Sequence, residues 1–103
     1  ALSVVSENII PQMVNLDQNF PNPFNPKTEI KFDIALRERV TLRVYNINGQ
    51  EIVTLMDNEV GSGQHKVAWL GRDSMGNEVA SGMYIYQLVV GEIAIRKKLI
   101  LLK

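Results

Sequence analysis

Cysteine is absent from this sequence. That excludes disulfides, thiol catalysis and thiolate metal sites, and it leaves the compartment open, because secreted bacterial domains also do without disulfides. Net charge is absent as well. Eleven Lys and Arg balance eleven Asp and Glu, which removes the usual electrostatic case for a nucleic-acid or anionic-membrane partner. No apolar run approaches the roughly 20 residues of a membrane-spanning helix, and no stripe at helical spacing occurs. Gly49, Gly82 and Gly91 form neither a G-x-G-x-x-G nor a P-loop pattern, so no nucleotide or other cofactor is indicated. The chain begins at Ala1 without a signal peptide, which is the expectation for a piece cut from a longer precursor.

What is present is enough apolar material for one core. Hydrophobic residues make up 46% of 103, too many for a disordered chain and about right for a single domain. Residues 1–16, ALSVVSENIIPQMVNL, have no clean period and are broken by Pro11, so they read as a linker that donates at most a short edge strand around 13–16. From Asp17 onward the signals have period two. Ile30, Phe32 and Ile34 face one way and Glu29, Lys31 and Asp33 the other; Val40, Leu42 and Val44 form the next inward set.

Asn48-Gly49 is the strongest hairpin signal. At the tip of a two-residue type I′ turn it puts Val44 opposite Val53, Leu42 opposite Leu55, Arg43 opposite Thr54 and Tyr45 opposite Ile52. After the break at 61–63, His65, Val67 and Trp69 share a face. A polar loop spans 71–76, a short strand is expected at 77–80, and Gly82 opens the longest β run, 83–90. Gly91-Glu92 fits a type II′ turn that pairs Val90 with Ile93, Leu88 with Ile95 and Tyr84 with Leu99. Tyr86 then falls opposite Lys97, and a bulge near Arg96 is expected to relieve that pairing. About seven short strands with glycine turns predict an all-β antiparallel sandwich over 17–103, with Trp69 anchoring the core.

One stretch exceeds what a sandwich requires. FPNPFNP, residues 20–26, places Pro21, Asn22, Pro23, Phe24, Asn25 and Pro26 directly before the first regular strand. Proline fixes φ and drives the preceding residue toward extended geometry. The segment therefore reads as a rigid lead-in that lays Phe20 and Phe24 on the end of the sandwich.

Several stretches together resemble a known family. LDQNFPNPFNPKTEIKFDI, VTLRVYNINGQEIVTL, GQHKVAWLGRDSMGNEVASGMYIYQL and the terminal RKKLILLK look like the type A C-terminal sorting domain of the type IX secretion system of Bacteroidetes. The resemblance covers 16–103 and rests on P-N-P-F-N-P, V-Y-N-x-x-G-Q, S-G-x-Y-x-Y-x-L with Gly82 and Tyr84, and a lysine-ended C-terminus. Trp69 through Leu88 is also similar to the immunoglobulin-like domain of the flagellar hook-capping protein. The resemblance implies an immunoglobulin-like sandwich with no catalytic role of its own. It implies transit through the periplasm, recognition by the outer-membrane translocon, and removal by a sortase-like peptidase that can attach the passenger to lipopolysaccharide. The passenger then ends at the cell surface or in the medium. Cleavage would fall in residues 1–16, and recognition would involve Arg96, Lys97, Lys98, Leu99, Ile100, Leu101, Leu102 and Lys103 on the last strand. Independently of the resemblance, a terminal strand with an exposed edge could take an added strand. The alternative is a structural or adhesive module of an extracellular assembly or of a secreted glycanase.

Other constellations have simpler explanations. Ser62, His65 and Asp57 or Asp73 could be drawn as a triad, but His65 alternates with Val67 and Trp69 as a strand residue does. Asp73, Asn77 and Glu78 miss the calcium-loop spacing and suit a turn. Tyr84 and Tyr86 share a face and read as core rather than as a sugar platform, and Arg96 to Lys98 as strand charges that deter edge pairing. Asn22-Pro23-Phe24 matches a eukaryotic endocytic tripeptide, which the surrounding prolines make irrelevant.

Overall fold

The computed structural model describes residues 13–103; the expected linker and cleavage region before Met13 lies outside them. Seven strands follow one another: β1 (Val14–Leu16), β2 (Thr28–Ile34), β3 (Glu38–Asn46), β4 (Glu51–Val60), β5 (Gly63–Trp69), β6 (Gly82–Val90) and β7 (Ile93–Leu101). They form two antiparallel sheets, β1-β2-β5 and β4-β3-β6-β7. This is an immunoglobulin-like sandwich. Alternation is its cause: Ile30, Phe32 and Ile34 from β2, Val40, Leu42 and Val44 from β3, and Tyr86, Leu88 and Leu99 from β6 and β7 are all buried between the sheets. Each fully buried aliphatic or Phe side chain contributes about 1.5–3 kcal/mol. Trp69 is buried at one end and touches Phe24 (5.5 Å between ring centres) and Tyr84 (5.4 Å).

The β6–β7 hairpin has the expected register, with Val90 opposite Ile93 and Tyr84 opposite Leu99. Gly91 has φ 59° and Glu92 does not enter positive φ, as a type II′ turn requires. The bulge expected near Arg96 is absent: Tyr86 lies squarely opposite Lys97. Lys97 is half-buried at the edge of the sheet, a position that lets its aliphatic stem cover apolar surface while the ammonium reaches water, so no register shift is needed.

The β3–β4 hairpin departs from expectation. Its loop is Ile47-Asn48-Gly49, three residues rather than two: the Gly49 N–H donates to the Asn46 carbonyl (3.0 Å) and only Gly49 has positive φ (83°). The Asn46 side chain selects this form, because its Oδ1 accepts from the N–H groups of Asn48 and Gln50 (both 3.0 Å). The added loop residue puts Tyr45 opposite Glu51 instead of Ile52. A bulge at Ile52 restores Val44↔Val53 and Arg43↔Thr54, and a second at Leu55 sets Leu42 opposite Met56 rather than Leu55.

Two smaller expectations also fail. Residues 77–80 form no strand, only an isolated bridge between Arg72 and Glu78, because Asp73 organises this segment as a loop. Phe20 is exposed (77%) while Phe24 is buried (2%). The Phe20 backbone exchanges two hydrogen bonds with Glu29 (2.9 Å each). Directly paired residues share a sheet face, and Glu29 is on the outer one, so Phe20 points outward with it.

Candidate functional site

Among the described residues, the histidine of the possible triad is held by other partners. The His65 ring stacks on Phe32 (5.2 Å), and its Nε2 donates to the Gly61 carbonyl (2.7 Å). Ser62 takes no part. Asp73 Oδ1 accepts from the N–H groups of Met75 (3.0 Å) and Asn77 (2.9 Å), an Asx turn that accounts for the loop without a cation. No metal-holding group of His, Asp and Glu occurs among the described residues, and no helix there is long and apolar enough to cross a membrane.

Both tyrosines of the Y-x-Y pair are core residues with occupied hydroxyls. Tyr84, at the start of β6, donates to the Ala80 carbonyl (2.6 Å) in the manner of a tyrosine corner. Tyr86 donates to the Asp17 carbonyl (2.7 Å) and accepts from the Asn19 N–H (2.9 Å). Burial raises both phenols above their ordinary value, that of Tyr86 to about 12.

The feature that stands out is the junction of the Pro-Asn segment with the last strand. Residues 20–26 are bent rather than extended, with the bonds before Pro21, Pro23 and Pro26 in cis. Buried Asn19 and Thr28 hold the first bend: the Pro21 carbonyl accepts from Thr28 Oγ1 (2.8 Å) and Asn19 Nδ2 (3.2 Å), and Asn19 Nδ2 reaches Thr28 Oγ1 (2.9 Å). So bent, the segment lies along the outer edge of β7. The Ile100 N–H donates to Asn22 Oδ1 (2.9 Å), the Phe24 N–H donates to the Ile100 carbonyl (3.0 Å), and the Leu102 N–H donates to the Phe24 carbonyl (3.0 Å). Gln18 Nε2 donates to the Lys98 carbonyl (2.7 Å). Phe24 and Leu101 thereby form a parallel bridge. The edge expected to be open is closed by the chain itself over 98–102.

The candidate recognition residues divide accordingly. Leu99 and Leu101 are in the core; Lys97 and Ile100 are half-buried; Arg96, Lys98, Leu102 and Lys103 are exposed. Arg96 Nε donates to Gln87 Oε1 (2.7 Å), and the pair borders a shallow depression of about 460 Å³ with Tyr45, Ile47 and Ile85. Lys103 Nζ reaches Glu78 (3.5 Å). Of the motif residues, Pro21, Asn22, Pro23, Asn25 and Pro26 are exposed, and Asn48 and Gly49 are at the hairpin tip. Sequence reasoning missed Gln18, Asn19 and Thr28. A polar residue flanking a proline run is a weak signal, and nothing in local spacing links Asn22 to a strand 78 positions away.

The description "FlgD Ig-like domain" matches residues 22–92, more than half of the chain. The chain belongs to that family. A comparison with curated sequences gives no match. Among solved structures, the domain is similar to dimeric latent PorU from Porphyromonas gingivalis (TM-score 0.72, 19% identity), over 86% of this chain and 9% of PorU. It is similar to PorZ of the same organism (TM-score 0.55, 19% identity), over 89% of this chain and 12% of PorZ. FlgD from Xanthomonas campestris has TM-score 0.59 and 18% identity, over 95% of this chain and 73% of FlgD. At these identities the likeness is one of fold, and this Ig-like domain spans only about a tenth of PorU and PorZ.

Proposed function

We propose that this domain is a C-terminal sorting signal, recognised by the type IX secretion translocon and removed from an exported passenger by a sortase-like peptidase. The observation that carries the reading is the contact between its two most characteristic segments. The P-N-P-F-N-P run and the lysine-ended terminal strand are far apart in sequence, yet Asn22 and Phe24 bond directly to Ile100 and Leu102. One folded end of the domain thus displays both. The fold it shares with PorZ, an essential surface component of the type-IX secretion system, supports the same direction. In this reading the module performs no catalysis. It crosses the periplasm folded, carries an N-terminal passenger, and delivers it to the cell surface or the medium.

A second reading is a structural module of an extracellular assembly. It is favoured by the FlgD Ig-like family match and by the fold of a FlgD that acts in hook capping. The deciding experiment fuses residues 1–103 behind a periplasm-targeted fluorescent protein in a type IX-competent host. Fluorescence at the surface or in the medium, lost in a translocon mutant and accompanied by removal of the tail, is the expected result. Reporter held in the periplasm with its tail intact would sink the sorting reading in favour of the structural module.

A further inference from the structure

The two-residue turn at Gly91-Glu92 sets the phase of β7. Val90 and Ile93 flank it, so Ile93, Ile95, Lys97 and Leu99 direct their backbone groups to β6. Ala94, Arg96, Lys98 and Ile100 direct theirs to the outer edge. The observed bonds from Lys98 and Ile100 to Gln18, Asn22 and Phe24 run in that direction. The closure stops there. At Ala94 and Arg96 both the N–H and the C=O, and at Lys98 the N–H, face outward with no partner among the described residues.

We infer that this open half of the edge, Ala94 to Lys98, docks an extended acidic peptide segment as an added strand. The inference rests on the reading of the domain as a recognised module and names where a partner sits. Charge selects the occupant. A second copy pairing antiparallel about Arg96 would set Arg96 against Arg96, Ala94 against Lys98 and Ile95 against Lys97, and like charges directly opposite destabilise a pair. A strand apolar on both faces is disfavoured for a different reason: it would strip water from Arg96, Lys97 and Lys98 and offer no counter-charge. A segment with carboxylates at alternating positions meets Arg96 and Lys98 on the outer face, or Lys97 on the inner one. None of the three is engaged by a carboxylate among the described residues. Backbone bonds then supply affinity and the carboxylates supply choice.

The test uses the chain of residues 1–103, isotope-labelled, with two blocked octapeptides that alternate valine with glutamate or valine with lysine. The glutamate peptide is expected to slow amide exchange at Ala94, Arg96 and Lys98 while leaving Ile100 unchanged, and to bind roughly tenfold tighter than the lysine peptide. That preference shrinks at about 1 M salt, where the Debye length is about 3 Å. Ala94→Pro removes an N–H that the sheet does not use and weakens glutamate-peptide binding; the joint change Arg96→Glu and Lys98→Glu reverses the preference. Equal binding of both peptides, protection elsewhere on the domain, or no binding overturns the inference. The comparison on the unaltered chain decides even where a variant fails to fold. Reporter export without peptide binding removes this docking site and leaves the sorting reading intact; peptide binding with the reporter retained does the reverse.

Discussion

Tyr86 satisfies two backbone groups at once, the part-buried Asp17 carbonyl and the buried Asn19 N–H. Tyr86→Phe leaves both without that partner and is expected to cost about 1–3 kcal/mol, read as a lowered urea midpoint. The phenol also couples stability to pH. Burial is the main reason its pKa is about 12 rather than 10.0; the Asn19 hydrogen bond opposes the rise and the Asp17 charge adds to it. The unfolded chain therefore loses this proton at lower pH than the folded one. Stability from the neutral phenol is complete below about pH 10 and declines as pH rises through about 12. Tyr84 shifts in the same direction, also through burial. Urea midpoints between about pH 9 and 11.5 should fall less steeply for Tyr86→Phe than for the parent, and parallel curves would assign the alkaline loss elsewhere. The two phenylalanines of the Pro-Asn segment provide a contrast at the same scale. Phe24→Ala should cost about 3–5 kcal/mol, whereas exposed Phe20→Ala should stay within about 0.5 kcal/mol. Comparable losses at both sites would mean that Phe20 packs in solution.

Among the elements, strands were the most legible part because period two and turn glycines are local signals. The β6–β7 register followed from Gly91-Glu92 alone. The β3–β4 register was half right for a compensating reason: a loop one residue longer and a bulge one residue later cancel at Val44↔Val53. No periodicity could reveal that, since the choice lies with the Asn46 side chain outside the Asn48-Gly49 pair. The clamp on β7 is another tertiary choice of this kind. Its side-chain component is testable: Asn22→Ala removes the acceptor for the Ile100 N–H and should cost about 1 kcal/mol. Amide exchange at Ile100 should quicken, while Phe24 and Leu102 keep the bonds they make through backbone. Unchanged exchange at Ile100 would show that the Phe24 bridge holds the edge unaided.

At the scale of the whole molecule, the proposed sorting function would give the last strand two roles, recognition and core packing, that a deletion experiment easily confuses. A terminal signal suggests a detachable peptide, whereas the alternation Leu99, Leu101 and the turn-set pairing of Leu99 with Tyr84 are the sequence hints that half of it is core. Leu99 and Leu101 are buried beside β6, and Leu101 also fills the space a side chain at Gly71 would need, 3.2 Å from where its Cβ would lie. Ending the chain after Lys98 removes both leucines and should cost about 4–10 kcal/mol at 2–5 each, against a total of about 5–15 kcal/mol for a domain. Ending it after Leu101 removes exposed Leu102 and Lys103 with their bonds to the Phe24 carbonyl and Ser81 Oγ and the exposed Lys103–Glu78 ion pair. The expected cost is about 1–2 kcal/mol. Thermal melts should therefore show a cooperative transition for the chain ended after Leu101 and none for the chain ended after Lys98. Only the former is a fair probe of recognition. Where the parent reporter is exported, retention of this one despite a cooperative melt means that the last two residues are read by the export machinery rather than needed by the fold. If it is exported like the parent, recognition lies in the folded end that the Pro-Asn segment and β7 build together.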